Sequence, residues 1–206
     1  AKVRFHAFSI FIPMGRLEPT SHKSNIVMAK LVVLRGTCDA GKTTTSWFVY
    51  QQLVALSSTP MNAPCDVFDK SHSQHHIWFG DTHYCMRDAH PIAFNRQGDP
   101  YDFKALIEIT NAKEELKKIA IISAGDYADL LRNDIAIFEF MGVDVIVICN
   151  RIKGQSRTMV YNLLRRFSSL TIAKTFPITR ITGTNHTIFV TKWNEATDIV
   201  NYIQTI

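Results

Sequence analysis

Residues 29–45 have the sequence AKLVVLRGTCDAGKTTT, and the fold prediction starts from this stretch. A short apolar run ends at Gly36 and is typical of a buried strand. The chain then forms a loop bounded by Gly36 and Gly41, and the residues after Lys42 carry apolar side chains at helical spacing. The order of strand, glycine-bounded loop and helix predicts an α/β unit with the loop at the carboxyl end of its strand.

The loop has the residue types that a bound phosphate requires. Gly36, Gly41, Lys42 and Thr43 satisfy the pattern G-x-x-x-x-G-K-[ST]. The glycines allow positive φ angles and a close approach of backbone N–H groups to phosphate oxygens. Lys42 adds a flexible positive charge, and the Thr43 hydroxyl is a suitable ligand for Mg²⁺. We therefore predict a phosphate-binding loop that opens a helix N-terminus.

On this motif and its context, the chain resembles the P-loop NTPase superfamily. The resemblance implies ATP and Mg²⁺ as ligands, with Lys42 at the β- and γ-phosphates and Thr43 at the metal. It also implies the full set of nucleotide-binding residues: Gly36, Thr37, Cys38, Asp39, Ala40, Gly41, Lys42, Thr43 and Thr44. Hydrolases, kinases and switches share the motif, so it indicates the ligand and not the reaction.

The composition is that of one ordinary globular domain. The chain has 206 residues, of which 46% are apolar, so it has room for one core. No run approaches the roughly 18 apolar residues of a membrane span, and we expect no membrane association. The cysteines are scattered without a C-x-x-C pair, which predicts a reducing, cytoplasmic setting: Cys38, Cys65, Cys85 and Cys149.

Residues 1–27 form an N-terminal extension before the domain proper, 28–206. The start, AKVRFHAFSIFIPMG, resembles a weak secretory signal without a convincing cleavage site, or it adds an edge strand. The extension carries most of the net charge of +5 through Lys2, Arg4, Arg16 and Lys23 against Glu18. The remaining domain is nearly balanced in charge, so nucleic acid is not indicated as a partner.

Residues 71–100 are weakly periodic and rich in histidine and aromatic residues. One interpretation is a zinc site, although the spacing matches no defined site. The alternative is an insertion over the nucleotide, which closes as a lid or binds a small-molecule acceptor. The residues that a zinc site would use are His72, His75 or His76 with His83 and Cys85.

Further elements follow in alternation. Strands are predicted at 103–109 and 118–123, joined by a hairpin or by one helical turn. Residues 143–149, VDVIVIC, predict a central parallel strand that is buried on both faces. Before it lies a helix that Gly142 ends, with one apolar stripe: Leu131, Ile135 and Phe138.

The resemblance also implies a carboxylate that follows a central strand and holds a magnesium-bound water. Asp126 is the candidate, but residues 123–125 intervene where the usual pattern has the aspartate directly after the apolar run. Asp126 is equally suited to cap the next helix. The fallback is Asp69, at the end of a predicted strand at 65–70, where an aspartate also commonly starts a turn.

Basic residues follow the central strand. Arg151 and Arg157 lie in a loop outside its carboxyl end, where an arginine neutralises charge on a transferring phosphoryl group. A solvated basic loop is the alternative interpretation. Over residues 28–167 the order of turn, helix, strand and basic loop is similar to a group of uncharacterised bacterial and phage P-loop ATPases.

The tail predicts a last strand at 187–192 and a closing helix from Asn194, with Ile199, Ile203 and Ile206 on one face. Between residues 178 and 187 the chain is polar, and we expect contact with the nucleoside base there. No N-K-x-D motif for guanine is present, which favours ATP over GTP.

The alternation of strands and helices predicts a three-layer α/β domain with a mainly parallel sheet. Within the P-loop family, the leading function is Mg²⁺-dependent hydrolysis of ATP. It would use Lys42 for the phosphates, Thr43 and Asp126 for the metal, and Arg151 or Arg157 for transition-state charge. The alternatives are a small-molecule or nucleotide kinase and a nucleotide-controlled interaction switch.

Overall fold

The computed structural model describes six parts of the chain: residues 29–57, 76–79, 82–85, 102–125, 128–166 and 169–206. Four predictions concern residues outside these parts. They are the extension 1–27, the strand at 65–70 with Asp69, most of the insertion 71–100, and Asp126.

Seven strands and four helices form the described domain. The strands are β1 (Ala29–Gly36), β2 (His76–Phe79), β3 (Thr82–Cys85), β4 (Lys104–Thr110), β5 (Leu116–Ile122), β6 (Val145–Arg151) and β7 (Leu170–Pro177). The helices are α1 (Lys42–Leu56), α2 (Ala128–Phe140), α3 (Gln155–Arg166) and α4 (Asn185–Thr205).

One sheet contains all seven strands, in the order β3-β2-β4-β5-β6-β1-β7. The half made of β5, β6, β1 and β7 is parallel, and it places the carboxyl ends of these strands at one edge. The other half, made of β4, β2 and β3, is antiparallel. The predicted α/β class and the parallel centre of the sheet are therefore confirmed.

A hairpin joins β4 to β5. The Asn111 side-chain oxygen accepts hydrogen bonds from the backbone N–H groups of Lys113 and Glu115, each at 2.9 Å. Glu114 completes the turn with a φ of 62°. Asparagine is well suited to such a turn because its short side chain reaches the backbone two residues on. Of the two predicted connections, the hairpin is therefore the one that forms, and it makes β4 antiparallel.

Helices cover both faces of the sheet. One core lies between the sheet and helices α1 and α4, and a second lies between the sheet and helices α2 and α3. Trp47 and Tyr50 of α1 fill the first core with ring centroids 5.1 Å apart. The predicted α2 stripe is buried in the second core: Leu131, Ile135 and Phe138. Strand β6 is buried on both faces, as predicted.

The predicted strand at 187–192 is wrong, because these residues lie in α4. The Thr184 hydroxyl accepts a hydrogen bond from Thr187 N–H at 3.2 Å and caps the helix. The short run of β-branched and aromatic residues is consistent with either element, and burial at helical spacing from Lys192 to Ile203 decides for the helix. The last strand is β7, which is not among the predicted elements.

No described helix is both long enough and apolar enough to cross a bilayer.

Candidate functional site

The loop between β1 and α1 has the backbone geometry that its glycines allow. Gly41 has φ 78° and ψ 27°, in the left-handed region, and is the N-cap residue of α1. A Cβ on Gly36 would come within 2.7 Å of the Ile178 carbonyl oxygen, so no larger residue fits there without a shift. The loop is thus a tight turn that packs against the chain after β7.

The N-terminus of α1 carries no negative charge from its own helix. The first turn contains no acidic residue, so no side chain of that turn opposes the positive end of the helix dipole. Lys42, which is only 8% exposed, donates a hydrogen bond of 2.6 Å from Nζ to the Thr37 carbonyl oxygen. Its ammonium group therefore lies over the loop and not in bulk solvent.

The carboxylate of Asp102, a residue just before β4, contacts the first turn of α1. The Thr43 hydroxyl donates to Asp102 Oδ1 at 2.9 Å, and the Ser123 hydroxyl donates to the same oxygen at 3.2 Å. Ser123 Oγ also accepts the Phe103 N–H at 2.7 Å. These bonds fix Asp102, which precedes β4, between the start of α1 and the end of β5.

These groups line a cavity of about 270 Å³ at the carboxyl edge of the sheet. Its walls come from the β1–α1 loop, the start of α1, the start of β4 and the end of β5: Cys38, Asp39, Ala40, Gly41, Lys42, Thr43, Thr44, Asp102, Ser123 and Gly125. Seven of the nine predicted nucleotide-binding residues are in this set, and the other two, Gly36 and Thr37, begin the same loop.

The turn after β5 lies close against β6. A Cβ on Gly125 would collide with the backbone carbonyl of Cys149, so only glycine permits this approach. Cys149 in turn has its Sγ 3.0 Å from the Ser46 hydroxyl of α1. The ends of β5 and β6 and the start of α1 are therefore packed together around the cavity.

Behind the loop lies an ion pair of α4, in which Lys192 is buried and Glu195 is partly exposed. Lys192 Nζ donates to Glu195 Oε2 at 2.9 Å and to the Thr179 carbonyl oxygen at 2.7 Å. The Thr45 hydroxyl of α1 donates to the same Glu195 oxygen at 3.1 Å. The pair therefore connects α4, α1 and the chain after β7.

The two predicted arginines lie at different places. Arg151 ends β6 and pairs in register with Gly36, so its backbone is adjacent to the loop. Arg157 is in the first turn of α3, where its guanidinium donates to the Ile152 carbonyl at 3.2 Å and lies 5.7 Å from the centre of the Tyr161 ring. Neither arginine is among the described residues that line the cavity. The backbone of Arg151 is adjacent to the loop, whereas Arg157 lies on α3.

Tyr161 is affected by two arginines. The positive charge of the Arg35 guanidinium has the larger effect, and Arg157 acts in the same direction. Both positive charges favour the phenolate, so the pKa of Tyr161 is lowered from its usual value.

Four residues of this region are absent from the sequence prediction: Asp102, Ser123, Lys192 and Glu195. A sequence signal pointed only to Ser123, which stands directly after the apolar run of β5, at the place where the P-loop pattern usually has its aspartate. Nothing local to Asp102 or Lys192 distinguishes them from ordinary turn and helix residues.

Comparison of the chain with protein-family models, with curated proteins and with solved structures found no match.

Proposed function

We propose that the chain is a P-loop NTPase that binds ATP with Mg²⁺ at the β1–α1 loop and hydrolyses the γ-phosphate. The observation that carries the proposal is the hydrogen bond from Thr43 to Asp102, which is next to Lys42 at the start of α1. It joins the N-terminus of a helix, a feature suited to phosphate, to a hydroxyl–carboxylate pair suited to Mg²⁺.

Support for polyphosphate binding comes from the charges around the loop. Backbone N–H groups of the loop and of the first turn of α1 are suited to phosphate oxygens, and Lys42 adds a full positive charge. The side chain of Lys42 bridges to the Thr37 carbonyl. A polyphosphate entering the loop would replace this bond with a stronger, charge-assisted one.

The donor set fits magnesium. A threonine hydroxyl and a carboxylate are hard oxygen ligands, which Mg²⁺ prefers. Among the described residues no group of three or more His, Cys, Asp or Glu side chains is placed to hold a metal alone, and Mg²⁺ commonly takes its other ligands from water and phosphate. Bound magnesium supplies charge neutralisation and orientation of the phosphates. We propose Thr43 and Asp102 as its protein ligands, directly or through water. A role of Asp126 or Asp69 at the metal stays a prediction.

Stabilisation of transition-state charge is assigned to Lys42 and Arg151. Arg151 lies opposite Gly36 in the sheet register, whereas Arg157 would have to leave the Ile152 carbonyl and the Tyr161 ring to reach a phosphate. The chain at 178–184 follows β7, and its first residue, Ile178, lies against Gly36. A base contact there, the preference for ATP over GTP and a cytoplasmic location stay predictions.

The test is product analysis with ATP and Mg²⁺, in which ADP and free phosphate are measured separately. We expect equal amounts of both without any acceptor, and loss of both in Lys42→Ala. The matched control is Lys113→Ala, because Lys113 is exposed in the β4–β5 hairpin and does not line the cavity.

Other outcomes separate the alternatives. ADP formed only with an added nucleoside, nucleotide or other small acceptor, without matching phosphate, would replace the hydrolase with a kinase. Tight binding with negligible turnover would favour the nucleotide-controlled switch. Absence of measurable ATP binding by the folded wild-type protein would overturn the proposal.

A further inference from the structure

A buried lysine lies directly behind the β1–α1 loop. Lys192 is only 2% exposed although it carries an ammonium group. A Cβ placed on Gly41 would come within 2.8 Å of Lys192 Cε and 3.6 Å of its Nζ. The lysine side chain therefore occupies the space that a side chain at position 41 would need.

The hydrogen bonds of this lysine account for its burial. An ammonium group is costly to bury unless its N–H groups find acceptors and its charge finds a partner. Lys192 Nζ has both, in the Thr179 carbonyl at 2.7 Å and the Glu195 carboxylate at 2.9 Å. A buried ion pair of this kind is nevertheless weak evidence for a gain in stability, because an apolar pair of similar volume commonly does as well. Packing behind Gly41 does not by itself require a charge.

The two charges of the ion pair lie at different distances from the β1–α1 loop. Lys192 lies against Gly41, the N-cap residue of α1, whereas Glu195 accepts a hydrogen bond from Thr45. Thr45 is one helical turn further along, since its N–H binds the Gly41 carbonyl at 2.9 Å. The positive end of the pair is thus nearer to the loop, in the same sense as the dipole of α1.

We infer that Lys192 is a second, buried cation of the phosphate site. It attracts the charge of a bound polyphosphate through space and positions the loop through its contact with Gly41. Glu195, one turn further from the loop, reduces this attraction. The inference rests on the proposed function, since it concerns the affinity of the same site for phosphate.

The experiment compares the dissociation constants of ATP, ADP and AMP for the wild type, Lys192→Met and Glu195→Gln. Lys192→Met should weaken ATP binding about tenfold, ADP binding less and AMP binding least, because the lost attraction grows with ligand charge. Glu195→Gln should tighten ATP binding about threefold, because it removes the opposing charge and keeps a hydrogen-bond acceptor for Thr45.

The decisive result is a change of ATP affinity in opposite directions in Lys192→Met and Glu195→Gln. A merely structural pair would weaken binding in both variants and to a similar extent for the three nucleotides, and that outcome would overturn the inference. Lys192→Arg should keep most of the affinity, and Lys113→Met, at an exposed position of the β4–β5 hairpin, should change nothing. If Lys192→Met fails to fold, Glu195→Gln decides alone, because weaker ATP binding in that variant contradicts the inference.

Lys42→Ala separates this inference from the function on which it rests. A wild type that does not bind ATP overturns the function and the inference together. A wild type that binds ATP, a Lys42→Ala variant that does not, and unchanged affinities in both ion-pair variants overturn only the role of Lys192.

Discussion

The Thr43 hydroxyl donates a 2.9 Å hydrogen bond to Asp102 Oδ1, across 59 positions of the chain. This bond links the first turn of α1 to the residue that precedes β4. Asp102 lies there because β4 runs antiparallel to β5, so that its amino end meets the carboxyl edge of the parallel strands. The antiparallel strand β4 thereby brings the Asp102 carboxylate to the edge of the sheet where the parallel strands end.

Asp102→Asn tests the metal role of this carboxylate. The amide keeps an acceptor for Thr43 but loses the negative charge that favours Mg²⁺. We expect Mg²⁺ to lose its additional effect on ATP-induced thermal stabilisation, and turnover to fall by about tenfold or more. Asp129→Asn is the matched control, because Asp129 pairs with Arg132 on an exposed part of α2. An Asp102→Asn variant with unchanged magnesium dependence would contradict the assignment.

Gly41→Ala tests the contact between the loop and Lys192. The variant puts a Cβ at a left-handed position and within 2.8 Å of Lys192 Cε. Gly142→Ala is the control, because its φ of 69° is also positive but nothing lies within 4 Å of the added Cβ. An alanine at a positive φ costs about 1–2 kcal/mol, and this cost is common to both variants.

The difference in the free energy of unfolding between Gly41→Ala and Gly142→Ala isolates the steric cost of the contact with Lys192. In urea denaturation, Gly41→Ala should lower the free energy of unfolding more than Gly142→Ala does, and it alone should weaken ATP binding. Equal losses of stability in the two variants would show that the Lys192 contact is easily relieved.

Alkylation of Cys38 tests occupancy of the loop. Cys38 is a free, exposed thiol in the cavity wall. A maleimide should therefore react at Cys38, and ATP with Mg²⁺ should slow the reaction several-fold, as measured by mass spectrometry of the Cys38 peptide. The buried thiol of Cys149 serves as an internal reference that should stay unmodified in the folded protein. A rate at Cys38 that ATP does not alter would argue against binding at this loop.

The pKa of Tyr161 gives a prediction about pH. Arg35 first and Arg157 second lower this pKa below the ordinary value for tyrosine. For an acid whose pKa is lowered by folding, the stabilising contribution is present above the unfolded pKa and is lost as pH falls through the folded one. The stability difference between the wild type and Tyr161→Phe should therefore grow in favour of the wild type as pH rises towards 10.

Tyrosinate absorbance measures the same pKa directly. The difference between wild-type and Tyr161→Phe titration curves gives the ionisation of this one phenol. It should ionise at lower pH than an unperturbed tyrosine, and Arg157→Ala should shift the ionisation part of the way back. A difference curve centred at the ordinary tyrosine pKa would contradict the contacts with the two arginines.

Local patterns were sufficient for the elements around the loop. Strand β1, the tight turn at Gly41 and helix α1 follow from an apolar run, paired glycines and helical spacing, all within thirty residues. The stripe of Leu131, Ile135 and Phe138 likewise predicted the buried face of α2. The tail was harder, because its β-branched and aromatic residues suit a strand as well as the helix that forms there.

The β1–α1 loop follows from neighbouring residues, because glycine conformation and the start of a helix are local properties. The set of side chains around this loop depends instead on tertiary packing. Asp102 reaches Thr43 through the antiparallel pairing of β4, and Lys192 reaches Gly41 through the packing of α4 on α1. Neither contact has a local signature, since each depends on strand order and helix placement and joins residues far apart in the chain.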